Sequence, residues 1–203
     1  MKKYAAMCLA LAWWAGMAQA STLTIDVGDH PLLANTAGQT VPLYVSGGVL
    51  VNFVLVDCQV GDGGPLTGGP LTGPTITNLD VVSGTIFADN NEGNAYDSGG
   101  RIVPQVAHQG TITNYSTNGF VTANGLLATV TIDTTGFFTL GSSWELKLKG
   151  TLNGDTSFGE DVPAPVITNG TIRLAPASEV PEAGTLALVA AGAGMLLWRR
   201  KAS

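Results

Sequence analysis

Cysteine, histidine and positive charge are all scarce in the body of this chain. Two cysteines occur in 203 residues, and Cys8 lies in an apolar N-terminal run. Cys58 therefore has no intrachain partner and is expected to be a small buried residue rather than half of a disulfide. His30 and His108 are the only histidines, in separate Gly- or Pro-bearing surroundings. With no cysteine partner and no ligand spacing, they do not describe a zinc site. A secreted hydrolase would bring a His close to a Ser and an Asp in a cleft, but no nucleophile-elbow or other local signature marks one. Between Ser21 and Ser178 four cations (Arg101, Lys147, Lys149, Arg173) face thirteen acids, a balance of −9. That excludes nucleic acid as a partner, because phosphate binding needs a basic face. Amphipathic helical periodicity is absent from the same stretch, and Trp144 is its only tryptophan. The expectation is a non-enzymatic, all-β protein.

The two ends carry what the middle lacks. Met1-Lys2-Lys3 is a positive start, Tyr4 to Met17 is apolar, and Ala18-Gln19-Ala20 precedes Ser21. This is the pattern of a secretory signal peptide over residues 1–20, cleaved between Ala20 and Ser21. At the other end, Val180-Pro181-Glu182 is followed by an unbroken apolar run, Gly184 to Trp198, and by Arg199-Arg200-Lys201. An uncharged run stopped by three cations predicts a short transmembrane helix, 184–198, with its basic end in the cytoplasm.

This three-part tail resembles the PEP-CTERM sorting signal of Gram-negative bacteria. The likeness rests on Val180, Pro181, Glu182, the apolar run, and Arg199/Arg200; Ala183 stands where the family most often has a second proline. The resemblance implies recognition by an exosortase-type membrane protease and cleavage near Val180–Gly184. It further implies a protein membrane-anchored before processing, then placed at the cell surface or in the extracellular matrix, in association with exopolysaccharide and biofilm. The organisation expected is a signal peptide (1–20), an extracellular domain (21–174), a linker (175–179) and a sorting tail (180–203).

Alternation governs the domain. Leu23/Ile25/Val27 and Val41/Leu43/Val45 fall on one face of their segments, with polar residues on the other. Leu50 to Asp57 is apolar on both parities, as in a strand covered on both sides. Thr75–Val82, Thr85–Ala88, Ile102–Ala107, Thr111–Thr113, Phe120–Val121, Gly125–Asp133, Trp144–Lys149 and Val166–Leu174 complete the strand candidates, while His30-Pro31 reads as a turn. About nine short strands spaced by Gly, Pro and Asn predict an antiparallel β-sandwich or jelly roll. The Gly125–Ile132 strand, with Leu146, Leu148, Gly150 and Thr151 after it, is similar to cohesin-like and carbohydrate-binding β-sandwiches. That resemblance implies the same fold and offers a second reading of the domain, an adhesion module.

Three further features are candidates for binding. Residues 61–74 (GDGGPLTGGPLTGP) hold a small duplication and too much Gly and Pro for a helix or central strand, so a surface loop is expected. Asp89, Asn91, Glu92 and Asp97 crowd carboxylates and an amide into one Gly-bearing stretch, the chemistry that Ca²⁺ coordination uses, in no EF-hand spacing. Turn formation alone also explains such a composition. Tyr44, Tyr96 and Tyr115 are the aromatic residues placed to stack on sugar rings, while Trp144 is expected to point inward with Leu146 and Leu148.

Overall fold

A computed structural model describes residues 22–93, 101–114, 119–159 and 161–179. The predicted signal peptide, the Ala20/Ser21 cleavage site, the sorting motif Val180–Glu182, the helix 184–198 and the Arg199–Lys201 stop lie outside the described residues. So do Tyr96, Asp97 and Tyr115.

The described chain is a two-layer all-β structure. One sheet joins β1 (Thr24–Asp26), β3 (Gln39–Ser46), β6 (Thr75–Asp80), β10 (Gly125–Asp133) and β12 (Val166–Thr168), in the order β12-β1-β3-β10-β6. We call it the five-stranded sheet. The six-stranded sheet joins β2 (Asp29–Leu33), β5 (Phe53–Val60), β7 (Arg101–Val103), β8 (Val106–Ile112), β11 (Ser143–Lys147) and β13 (Gly170–Ala175), in the order β2-β13-β11-β5-β8-β7. A small third pair links β4 (Leu50–Val51) to β9 (Val121–Thr122).

The alternating residues meet between the two layers. Leu23, Ile25, Val41, Leu43, Val45, Val130 and Ile132 from the five-stranded sheet form one buried cluster with Val54, Val56, Cys58, Leu146, Ile172 and Leu174 from the six-stranded sheet. Packing two apolar faces in this way removes them from water at about 25 cal/mol per Å² of apolar area, which is the main stabilising term of such a fold.

Two strand candidates divide: Leu50–Asp57 into β4 and β5, and Ile102–Ala107, at a turn over Pro104 and Gln105, into β7 and the start of β8. Five further departures from the sequence expectations have identifiable causes. First, the sandwich is mixed rather than wholly antiparallel: β1 pairs with β12, and β13 with β2, in parallel. Second, His30-Pro31 lies inside β2, an edge strand, where a missing proline N–H disturbs no ladder. Third, Val166–Leu174 divides at Asn169, whose side chain accepts from the backbone N–H groups of Leu148 and Lys149; its two halves enter different sheets. Fourth, alternation along β10 predicts Leu126, Ala128, Val130 and Ile132 inward, but a bulge between Leu126 and Ala128 buries Leu127 fully in place of Leu126. Fifth, Thr85–Ala88 is a turn, not a strand. The Thr85 hydroxyl donates to the Val81 carbonyl at 2.9 Å and the turn drops Phe87 into the core with no exposure.

Candidate functional site

The outer face of the six-stranded sheet is built by the second parity of β5. Val54, Val56, Cys58 and Val60 point into the sandwich, so Phe53, Leu55, Asp57 and Gln59 point away from it. Register places His108 of β8 opposite Asp57, and Arg101 of β7 opposite His108. The three side chains therefore form one row across β5, β8 and β7. Gly110 lies opposite Leu55, and Ile112 opposite Phe53. Gly110 carries no side chain and is buried, and half-buried Leu55, Phe53, Ile112 and His108 stand around it.

Asp57 is 2% exposed. Its Oδ1 lies 2.6 Å from His108 Nδ1, and the His108 side chain keeps 33% of its surface open. A buried carboxylate needs such a partner, because an ion with no compensating contact loses several kcal/mol of hydration. The burial comes from the segment that follows β11. Ser157 pairs with Leu55, the Asp57 N–H donates to Thr156 Oγ1 at 3.1 Å, and the Thr156 hydroxyl donates to the Asp57 carbonyl at 3.2 Å. Gln59 is tied in the same way: its Nε2 donates to the Gly61 carbonyl, and its Oε1 accepts from Leu152 N–H. At the rim, Lys147 and Glu145 lie 3.3 Å apart, an exposed ion pair of small energetic weight. Inside, Cys58 has its thiol pushed up to about 12, by burial first and then by the Asp57 carboxylate. It is a free, buried residue, as its isolation in the sequence predicts.

The outer face of the five-stranded sheet differs in chemistry. Tyr44 stands 57% exposed near its centre, with Asp26 of β1 on one side and Leu126 of β10 on the other. Hydroxyls surround it: Thr24 and Ser46 hydrogen-bond each other at 3.0 Å, and Thr168 lies beyond Asp26. No lysine or arginine falls on these strands.

The other candidates are placed as follows. Asp89 and Glu92 are exposed. The Asn91 amide is occupied by its own backbone: Nδ2 donates to the Phe87 and Ala88 carbonyls, and Oδ1 accepts from Gly93 N–H at 2.9 Å. Among the described residues, no three His, Cys, Asp or Glu side chains converge as a metal site. The 61–74 loop does hold a helical turn, a 3₁₀ segment Gly64–Thr67 begun by Pro65, which needs no N–H at that position. It is pinned to the sheet. Trp144 Nε1 donates to the Thr72 carbonyl at 2.9 Å, and the fully buried Gln105 accepts from Thr72 N–H at 3.1 Å. Trp144 points toward the core, as expected, and meets Phe137 edge to face with ring centroids 5.4 Å apart.

Sequence reasoning did not pair Asp57 with His108. The available signal was a single carboxylate ending the apolar run Leu50–Val56. Its partner lies 51 residues away, and no local pattern links them.

No protein-family model matches the chain, and no curated protein matches it in sequence. Solved structures do match its fold. The third cohesin ScaC of Acetivibrio cellulolyticus, solved in complex with the ScaB dockerin, superposes with a TM-score of 0.55 at 14% identity, covering 76% of this chain and 99% of that one. The cohesin CaCohA2 of Clostridium acetobutylicum gives 0.53 at 14% identity over 78% and 94%. The OlpA cohesin of Clostridium thermocellum, solved with the Doc918 dockerin, gives 0.52 at 9% identity over 76% and 99%. At these identities the likeness is one of architecture: the described residues fold as a cohesin-like β-sandwich.

Proposed function

We propose that the domain is a non-enzymatic adhesion module that holds a protein partner outside the cell. The observation that carries this reading is the match to cohesin folds over nearly their whole length, in chains solved bound to a protein partner. We assign docking to the outer face of the six-stranded sheet. Half-buried Phe53, Leu55 and Ile112 around Gly110, with His108 and Arg101 at the rim, combine apolar centre with polar edge, the anatomy of a protein interface. The Asp57–His108 contact fixes the imidazole on a rigid strand pair, so little ordering is needed on binding.

The terminal segments give the setting in this proposal. The signal peptide exports the chain, the PEP-CTERM-like tail holds it in the membrane until an exosortase-type protease acts, and the domain then stays at the surface or in the matrix. The test of docking is calorimetric titration of the exported domain against a captured protein partner. Leu55→Lys and Ile112→Lys are expected to weaken binding at least about tenfold, or about 1.4 kcal/mol. Unchanged affinity in both variants would move the interface elsewhere.

One observation favours a second reading. Tyr44 is the aromatic residue that stands open on a flat, hydroxyl-bearing, cation-free face, which suits stacking on a neutral sugar ring of an exopolysaccharide. Saturable binding of neutral polysaccharide, lost in Tyr44→Ala, would support it. Bound Ca²⁺ at the Asp89–Asp97 stretch would appear as binding lost in chelator.

A further inference from the structure

Gln105 is fully buried although it carries a primary amide. Its Oε1 accepts from Thr72 N–H at 3.1 Å, and Thr72 Oγ1 lies 3.3 Å from the same oxygen. Its Nε2 makes one long contact, 3.3 Å, to the Val60 carbonyl. On the far side of the hydroxyl, Thr72 Oγ1 donates to Asp62 Oδ1 at 2.5 Å. A hydroxyl, a carboxylate that accepts its hydrogen bond, and a carbonyl polarised by a backbone N–H are the three parts of an acyl transfer.

The surroundings hold these parts in place. A Cβ on Gly64 would lie 1.9 Å from Gln105 Oε1, and one on Gly73 would lie 3.0 Å from Gln105 Nε2, so only glycine lets the loop close over the amide. Trp144 anchors the nucleophile's own residue through the Thr72 carbonyl. The Gly64 N–H donates to Asp62 Oδ1 at 3.0 Å and holds the carboxylate where the Thr72 hydroxyl points its proton at it, so geometry places Asp62 as the proton acceptor. Proximity of this kind turns a slow bimolecular reaction into an intramolecular one.

We propose that Thr72 and Gln105 join spontaneously in an intramolecular ester cross-link. Thr72 Oγ1 attacks Gln105 Cδ and its proton passes to Asp62. The oxyanion that forms on Oε1 is met by Thr72 N–H. Collapse breaks the Cδ–Nε2 bond, and the leaving nitrogen takes the proton from Asp62 and departs as ammonia. One C–O bond replaces one C–N bond, and no oxidant, water or cofactor enters. The product ties the loop after β5 to the turn before β8, across the end of the sandwich. Such a staple suits a protein without an internal disulfide that works outside the cell. The inference is independent of which face docks a partner.

The test is mass spectrometry of the full exported chain. The expected intact mass is lower by one ammonia than that of the processed sequence. Trypsin separates the two residues, Thr72 into the peptide ending at Arg101 and Gln105 into the peptide Ile102–Lys147, so the ester appears as those two peptides joined. Thr72→Ala is expected to restore the lost ammonia, Thr72→Ser to keep the link, and Asp62→Asn to slow its formation at least tenfold. A succinimide at an Asn-Gly pair also loses ammonia, but it joins no peptides and persists in Thr72→Ala. Wild-type protein with both tryptic peptides unlinked would overturn the proposal without reference to any variant.

Discussion

Phe87→Ala should be among the most damaging single changes in the domain. Phe87 has no exposed surface and belongs to the buried cluster shared by both sheets. It is delivered there by a turn, not a strand, with the Thr85 hydroxyl bonded to the Val81 and Val82 carbonyls and accepting from Phe87 N–H. Truncation removes an aromatic ring and leaves a cavity that this hydrogen-bonded turn cannot collapse to fill. The cost expected for such a site is about 3–5 kcal/mol. Against a total stability of about 5–15 kcal/mol, that is a large share. At about 2–4 °C per kcal/mol for a chain of this size, the melting temperature falls by roughly 6–20 °C. Urea unfolding followed by circular dichroism gives the free energy, and calorimetry gives the melting temperature. Phe87→Leu, which keeps most of the apolar volume, costs markedly less. A fall of under about 2 °C for Phe87→Ala would refute the placement of this turn and the packing argument with it.

Other outcomes follow from single contacts. Cys58, its thiol raised to about 12 and fully buried, stays protonated at pH 8 and reacts with a thiol reagent only at the rate of unfolding; prompt labelling of the native protein would contradict its burial. Asp133 is held below the usual carboxylate range by the Thr135 hydroxyl and then the Thr135 N–H. Its contribution to stability is therefore present above the unfolded value of about 3.9 and is lost as pH falls through the lower folded value. Thr135→Ala raises the Asp133 midpoint in a carbon-detected NMR titration. His108→Ala leaves the carboxylate of Asp57 buried without its imidazole and destabilises the domain by about 1–3 kcal/mol, toward the lower end because water reaches the vacated site. Urea unfolding of this variant and of the doubly apolar His108→Leu/Asp57→Leu, which costs less, separates pairing from packing. Gly170→Ala places a Cβ 1.9 Å from the Gly28 carbonyl oxygen, a backbone atom. The parallel β2–β13 pair must part, and amide exchange at Thr171, whose N–H donates to that oxygen, accelerates.

The layers were legible because alternation states which side of a strand is buried. Leu23, Ile25, Val41, Leu43, Val130, Ile132 and Leu146 are all core residues in the positions that their parity indicates. Alternation carries no direction, so the parallel pairings of β1 with β12 and of β13 with β2 left no trace in it. Nor does it register an inserted residue: the β10 bulge exchanged Leu126 for Leu127 in the core. Thr-Ile-Phe-Ala at 85–88 has strand composition, yet the Thr85 hydroxyl found backbone carbonyls and made a turn, a tertiary choice that overrides propensity. The contacts that define both candidate chemistries, Asp57 with His108 and Thr72 with Gln105, join residues 51 and 33 positions apart. Topology brings them together, and composition gives no hint of it.

The central claim is that the outer face of the six-stranded sheet holds a protein. Its most direct measurement is binding of the exported domain, wild type and Leu55→Lys, to surface and secreted proteins of the producing cells, with each retained protein then titrated by calorimetry. The account predicts one saturable partner whose affinity falls at least about tenfold in the variant, with Tyr44→Ala unaffected. Binding of polysaccharide alone, abolished by Tyr44→Ala and untouched by Leu55→Lys, would contradict it and make the five-stranded sheet the working surface.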